Sequence, residues 1–218
     1  MFRLLLAVLS LSFAASAYSK EFKLEDTVSG ILPKIISLSI NKVDNEVSYS
    51  FINNHLLSKG KTNFNGMPNV LLVDLNFDGY ADLWINGCTT GQCRTLESDA
   101  WLYDSASKKY KLNQILSALP DLNIDIQKQV IVSGVANTGC AGMSFYLETF
   151  RWQNKKLTKQ YRCEQQCTAD SRVHYFEYKL KNGVMAKVRD EIINDPESAN
   201  RRKLDLDLLD TFNYQMEM

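Results

Sequence analysis

An all-β fold built of antiparallel hairpins is what this 218-residue sequence predicts, and three observations predict it. Short segments of alternating apolar or aromatic residues run into polar turns and return: Val47 to Ile52 before Asn53-Asn54, Ala100 to Tyr103 before Asp104-Ser105, Phe145 to Trp152 before Gln153-Asn154, and His174 to Leu180 before Lys181-Asn182-Gly183. A period of two ending in Asn, Asp, Ser or Gly is the chemistry of strand, turn and strand. Two further apolar runs rich in strand formers, Val70-Leu71-Leu72-Val73 and Leu83-Trp84-Ile85, flank an Asp- and Asn-rich loop and read as buried strands. With that hairpin the units are spaced like the blades or hairpins of an all-β domain.

The chain begins with an export signal. Arg3 precedes the apolar run Leu4 to Leu9, and Ala15-Ser16-Ala17 is a small-residue cleavage site, so residues 1–17 are removed and the mature chain starts at Tyr18. No cysteine follows the cut to carry a lipid, and no later run is long enough to span a membrane. A periplasmic or secreted protein is expected, with residues 18–218 as a single β-rich domain. The 25 basic and 25 acidic residues balance, which gives no general attraction to nucleic acid or to a charged membrane surface.

From Tyr18 to Asp44 the pattern is weak, and Ile35, Ile36, Leu38 and Ile40 fit a strand or a short helix. The loop that follows Val73 is the most informative stretch. Counting from Asp74, oxygen-bearing side chains fall at the first (Asp74), third (Asn76), fifth (Asp78) and ninth (Asp82) positions, with Gly79 sixth and the Tyr80 carbonyl seventh. That is the ligand order of a calcium loop, in which a hard cation takes six to eight oxygens at about 2.3–2.6 Å. Gly79 supplies the sharp bend, having no Cβ to clash at positive φ. An EF-hand is excluded because the twelfth residue is Ile85, not Glu, and the flanks are strands. The plain alternative is an Asx-rich turn that binds nothing. The ion, Ca2+, is read as structural: one loop fills most of its shell and leaves little room for substrate.

Five cysteines in an exported chain signal disulfides, with at least one left over. Cys88 and Cys93 enclose a short Thr-Thr-Gly-Gln loop and form the first expected pair. Pairing Phe145–Trp152 back onto Lys155–Cys163 ranks Cys140 with Cys167 ahead of Cys140 with Cys163. Zinc is the rival, but no histidine is near. Three aromatic rows, Tyr146/Phe150/Trp152, His174/Phe176/Tyr178 and Trp101/Tyr103, read as core, with a carbohydrate platform as the alternative. After Asp195-Pro196, Leu204, Leu208 and Phe212 keep a helical spacing while Leu204, Leu206 and Leu208 keep a strand's; a short C-terminal helix or docking tail is expected.

No catalytic residues are identified. His55 and His174 are the only histidines, and no nucleophile elbow, zincin motif or phosphate-cradling glycine loop is present. A binding protein, not an enzyme, is the expectation.

The runs Asp74-Leu-Asn-Phe-Asp-Gly-Tyr-Ala-Asp-Leu83, Asp99-Ala-Trp-Leu-Tyr-Asp104 and Tyr146-Leu-Glu-Thr-Phe-Arg-Trp152, the last followed by Lys156-Leu157, resemble the periplasmic FG-GAP/VCBS-like calcium-loop proteins. That family includes a Xanthomonas type IV secretion immunity protein. The resemblance runs from Asn69 to Asp190, with the calcium motif as its specific part. It implies a β-propeller-like fold and an immunity-type inhibitor whose partner is a lysozyme-like peptidoglycan hydrolase. The candidate partner-binding loops are Thr89 to Glu97 and Ala136 to Met143. The reading from a different class is a cell-wall or glycan-binding surface module with structural calcium.

Overall fold

The computed structural model describes residues 18–22, 35–43, 46–53 and 56–62 by backbone alone, and residues 64, 68–88, 95–136, 144–168 and 172–194. The expected C-terminal helix or tail, the signal segment, Cys93 and the Ala136–Met143 loop from its second residue to its last lie outside the described residues, as does most of Thr89–Glu97.

Three antiparallel sheets follow one another along the chain. The first holds β1 (Tyr18–Phe22), β2 (Ile35–Val43), β3 (Glu46–Asn53) and β4 (Leu56–Thr62) in that order. The segment around Ile35–Ile40 is therefore strand, and pairing with β1 and β3 decides what its own period could not. The second sheet holds β5 (Asn69–Val73), β6 (Asp82–Cys88), β7 (Leu96–Asp104) and β8 (Lys109–Leu112). The third runs β9 (Asn123–Asp125), β10 (Val130–Ala136), β11 (Phe145–Gln153), β12 (Lys156–Cys167), β13 (Val173–Lys181) and β14 (Val184–Ile193). Each strand pairs with its neighbours in the chain, so the hairpin repeat expected from the sequence is the architecture. Among the described residues the three meanders do not form a closed ring of blades.

The second sheet is covered on both faces at β5 and β6, which is why Val70–Val73 and Leu83–Ile85 read as continuous apolar runs. Leu72, Leu83, Ile85, Tyr103 and Tyr110 pack with Phe64 on one side. Val73, Trp84 and Ala100 pack on the other against Ile131, Phe150 and Leu157 of the third sheet. A separate core on the far side of the third sheet gathers Val132, Phe145, Leu147, Cys163, Val173 and Tyr175. Two hairpins close in the tight turns their residues favour: Asn154 and Lys155 have φ of 50° and 63°, Asn182 and Gly183 50° and 80°.

The joint between the second and third sheets is a segment the sequence pattern does not reveal. β8 is four residues long, so the first half of β7 would be left without a partner on that edge. The one-turn helix α1 (Gln114–Ser117) fills it: Asn113 N–H donates to the Ala100 carbonyl at 2.8 Å, and Ala100 N–H donates to Ser117 Oγ at 3.0 Å. Asn113 also caps the helix, its Oδ1 accepting from Leu116 N–H. Asp121 then exchanges bonds with Leu96, while Pro120 O accepts from Ser133 and from Gly134 of β10.

Gly134 is required by close approach. A Cβ there would sit 2.3 Å from the Tyr146 carbonyl oxygen and 3.1 Å from Leu147 Cα, backbone atoms that cannot rotate away. Gly134→Ala should cost about 1–3 kcal/mol through forced strand separation, visible as a lowered urea midpoint; an unchanged midpoint would contradict this packing.

Candidate functional site

The Asp74–Asp82 loop joins β5 to β6 and is anchored in both cores flanking the second sheet. Leu75 and Ala81 are fully buried, Leu75 toward the third sheet and Ala81 on the opposite face. Tyr110 donates its hydroxyl proton to the Ala81 carbonyl at 3.0 Å, and Trp152 Nε1–H donates to the Leu75 carbonyl at 2.9 Å. Between these anchors the chain coils tightly. Gly79 has φ of 91°, as its sixth position in the loop requires, and Phe77 is also left-handed at 59°, a strained conformation for an aromatic residue.

The side chains at the first, third and fifth positions turn in toward the loop's own amides. Asp74 accepts from Asp78 N–H at 3.0 Å and Gly79 N–H at 2.8 Å; Asn76 Oδ1 accepts from Asp78 N–H at 3.1 Å, and Asp78 Oδ1 from Tyr80 N–H at 3.0 Å. Asn76 Nδ2 donates to Asp78 Oδ2 at 3.1 Å. Asp82, the ninth-position carboxylate, has a different environment. It is fully buried, and its two oxygens accept from Leu75 N–H at 2.9 Å and Tyr103 N–H at 2.8 Å. It therefore bridges the start of the loop to β7.

The three carboxylates feel one another. Burial raises Asp74 above the ordinary carboxylate range against the amide bonds from Gly79 and Asp78, and the Asp78 charge adds to the rise. Burial pushes Asp82 to about 8 despite its two amide bonds, and the charges of Asp78 and Asp74 push the same way. Crowded, partly desolvated negative charge on a hard-oxygen donor set is what a calcium ion relieves. By donor chemistry alone, Asp74, Asn76, Asp78 and the Tyr80 carbonyl are the oxygens that would suit such an ion. Asp82 fits through the lone pairs its amide bonds leave unused. Among the described residues no three His, Cys, Asp or Glu side chains converge in a metal-holding cluster; the acids instead close on backbone N–H groups.

Next to the loop lies a cleft of about 490 Å3, walled by Asn76 and Asp78, by the β7–β8 hairpin, and by Trp152, Asn154 and Lys155 at the β11–β12 turn. Sequence reasoning did not find it, because its walls come from three separate hairpins.

Of the cysteines, Cys88 and Cys167 are disulfide-bonded; the partners expected for them, Cys93 and Cys140, lie outside the described residues. Cys163 is a free, fully buried thiol, pushed up to about 11 chiefly by burial. It should resist a thiol reagent at neutral pH in the native state and react once on unfolding; labelling without denaturant would contradict its placement.

The aromatic rows divide. Phe150 and Tyr103 are core, and Trp101 packs against it. His174, Phe176 and Tyr178 are half-buried on the face of the third sheet, with ring centroids 4.0 Å and 6.5 Å apart and the Lys187 ammonium 4.6 Å above Phe176. That row is a ladder on the sheet surface, not the core the sequence reading assigned.

No family model matches this chain, and no curated protein matches it. Among solved structures, the chain is similar to one described as a Xanthomonas type IV secretion system related protein. The TM-score is 0.50 and the identity 14%, and the match covers 80% of this chain and 99% of that one. At such identity the likeness concerns the fold, and it extends across nearly the whole of the other protein.

Proposed function

We propose that this is an exported binding protein, its β domain clamped by calcium, that blocks a lysozyme-like peptidoglycan hydrolase in the manner of an immunity protein. The observation that supports the reading is the fold likeness to a type IV secretion system related protein over 99% of that protein's length. The loop chemistry agrees with it: an inhibitor gains affinity when its scaffold is ordered before contact, and a loop tied to both cores is such a scaffold.

The half-buried ladder of His174, Phe176 and Tyr178 favours a second reading, a cell-wall or glycan-binding surface module. One experiment separates the two. The purified mature chain is added, with calcium, to a lysozyme-like muralytic digest of cell walls and, separately, to insoluble peptidoglycan. Dose-dependent inhibition at stoichiometric protein supports the inhibitor. Sedimentation with the polymer and undiminished digestion would replace it with the surface module.

A further inference from the structure

The cleft beside the loop carries an inference that does not depend on the inhibitor reading. Its volume of about 490 Å3 lies within the range of about 300–1,000 Å3 typical of small-molecule sites. Its charges balance. Asp104 is ion-paired with Lys111 across the β7–β8 hairpin, and the remaining pair on the walls, Asp78 and Lys155, is one of each sign. An anion would meet Asp78 and Asp104, a cation Lys111 and Lys155, and a purely apolar ligand would strip water from all four. Asn113 and Asn154 add side-chain amides, which both donate and accept, beside Asn76 of the loop, whose own amide is engaged with Asp78.

The apolar part of the wall is compact and held in place. Trp152 is half-buried, and its Nε1–H bond to the Leu75 carbonyl locks the indole before any ligand arrives. Leu112 is 42% exposed at the end of β8 on the same cleft, an apolar side chain left in water. A fixed indole and an exposed leucine amid amides and balanced charges match one ligand chemistry: a ring with an apolar C–H face and a rim of neutral hydroxyls.

We propose that this cleft binds a neutral saccharide, one or two rings of a longer glycan, with Trp152 and Leu112 packing on the C–H face and the amides, Asp104 and Lys155 hydrogen-bonding the hydroxyls. The site is separate from the half-buried ladder on the third sheet, since none of His174, Phe176 and Tyr178 lines it.

The test uses the mature full chain with N,N′,N″-triacetylchitotriose and cellotriose as neutral probes, read by saturation-transfer NMR and by tryptophan fluorescence, with inorganic phosphate and free glycine as charged controls. Saturable binding of either trisaccharide is expected. Trp152→Ala should weaken it roughly tenfold, the scale of one good aromatic contact. Leu112→Glu and Lys155→Gly should each weaken it several-fold while melting as wild type; glycine keeps the turn, because Lys155 sits at φ of 63°. Should Trp152→Ala unfold through loss of its bond to Leu75, these two surface variants decide alone. The proposal is overturned if neither trisaccharide binds, if Leu112→Glu and Lys155→Gly bind as wild type does, or if phosphate or glycine binds the cleft in their place. Muralytic inhibition is a separate readout, so either idea can fail without the other.

Discussion

Replacing Asp82 with alanine is expected to be the most damaging single change in the molecule. The side chain is fully buried and holds two amides from different parts of the chain, Leu75 N–H and Tyr103 N–H. Each orphaned buried N–H costs about 1–3 kcal/mol, so Asp82→Ala should lose about 2–5 kcal/mol even in a chelator. Removing a carboxylate that is costly to bury offsets part of this. Asp82→Asn should fall between, because its amide group turns a donor toward one of the two N–H donors. Thermal melting in chelator measures both. Wild-type melting of the alanine variant would show that the bridge from the loop to β7 contributes nothing.

Calcium should raise the melting temperature of the wild-type chain, and Asp78→Ala should remove most of that rise. With free calcium at about a hundred times the dissociation constant, the stabilisation is about 2.7 kcal/mol, or about 2–4 °C for each kcal/mol in a domain of this size. Asp78 is exposed and its own bonds are confined to the loop, so in chelator the variant should melt close to wild type. The pH dependence supplies a second sign. In chelator, burial keeps a proton on Asp82 up to about 8, while the unfolded chain gives its proton up in the ordinary carboxylate range. The contribution is therefore fully present in acid and is lost as the pH rises toward about 8. Calcium favours the ionised form and should flatten that decline. Equal melting of wild type and Asp78→Ala with calcium and with chelator would sink the metal reading.

The hairpins and the loop were legible because their signals are local. Alternation ending in Asn-Gly or Asp-Ser, and an oxygen every second residue before a glycine, are read within about ten residues. What escaped reading depends on partners far along the chain. Spacing identifies Asp82 as the ninth ligand position, but its buried bond to Tyr103 N–H, 21 residues away, has no local trace. The helix α1 escaped because one turn is too short to show a period, and its role is to satisfy an edge left by the shortness of β8. Tyr146, Phe150 and Trp152 share one face of β11, as their alternation implies, but only Phe150 and Trp152 lie where the second sheet covers that face, while Tyr146 packs beside Arg162. The ladder of His174, Phe176 and Tyr178 has the same alternation as a core strand; only the position of β13 beyond the face covered by the second sheet distinguishes them.

The order of strands has a kinetic meaning. Each of the three sheets is a meander whose partners are chain neighbours, so pairing within a sheet closes only short loops and carries a small entropic barrier. The slow event expected on that ground is the docking of the second and third sheets, which the Trp152 bond to Leu75 across 77 residues and the Asn113–Asp121 stitch join. A chain that emerges from one end, as every newly made protein does, can then settle each sheet as it appears and join them last.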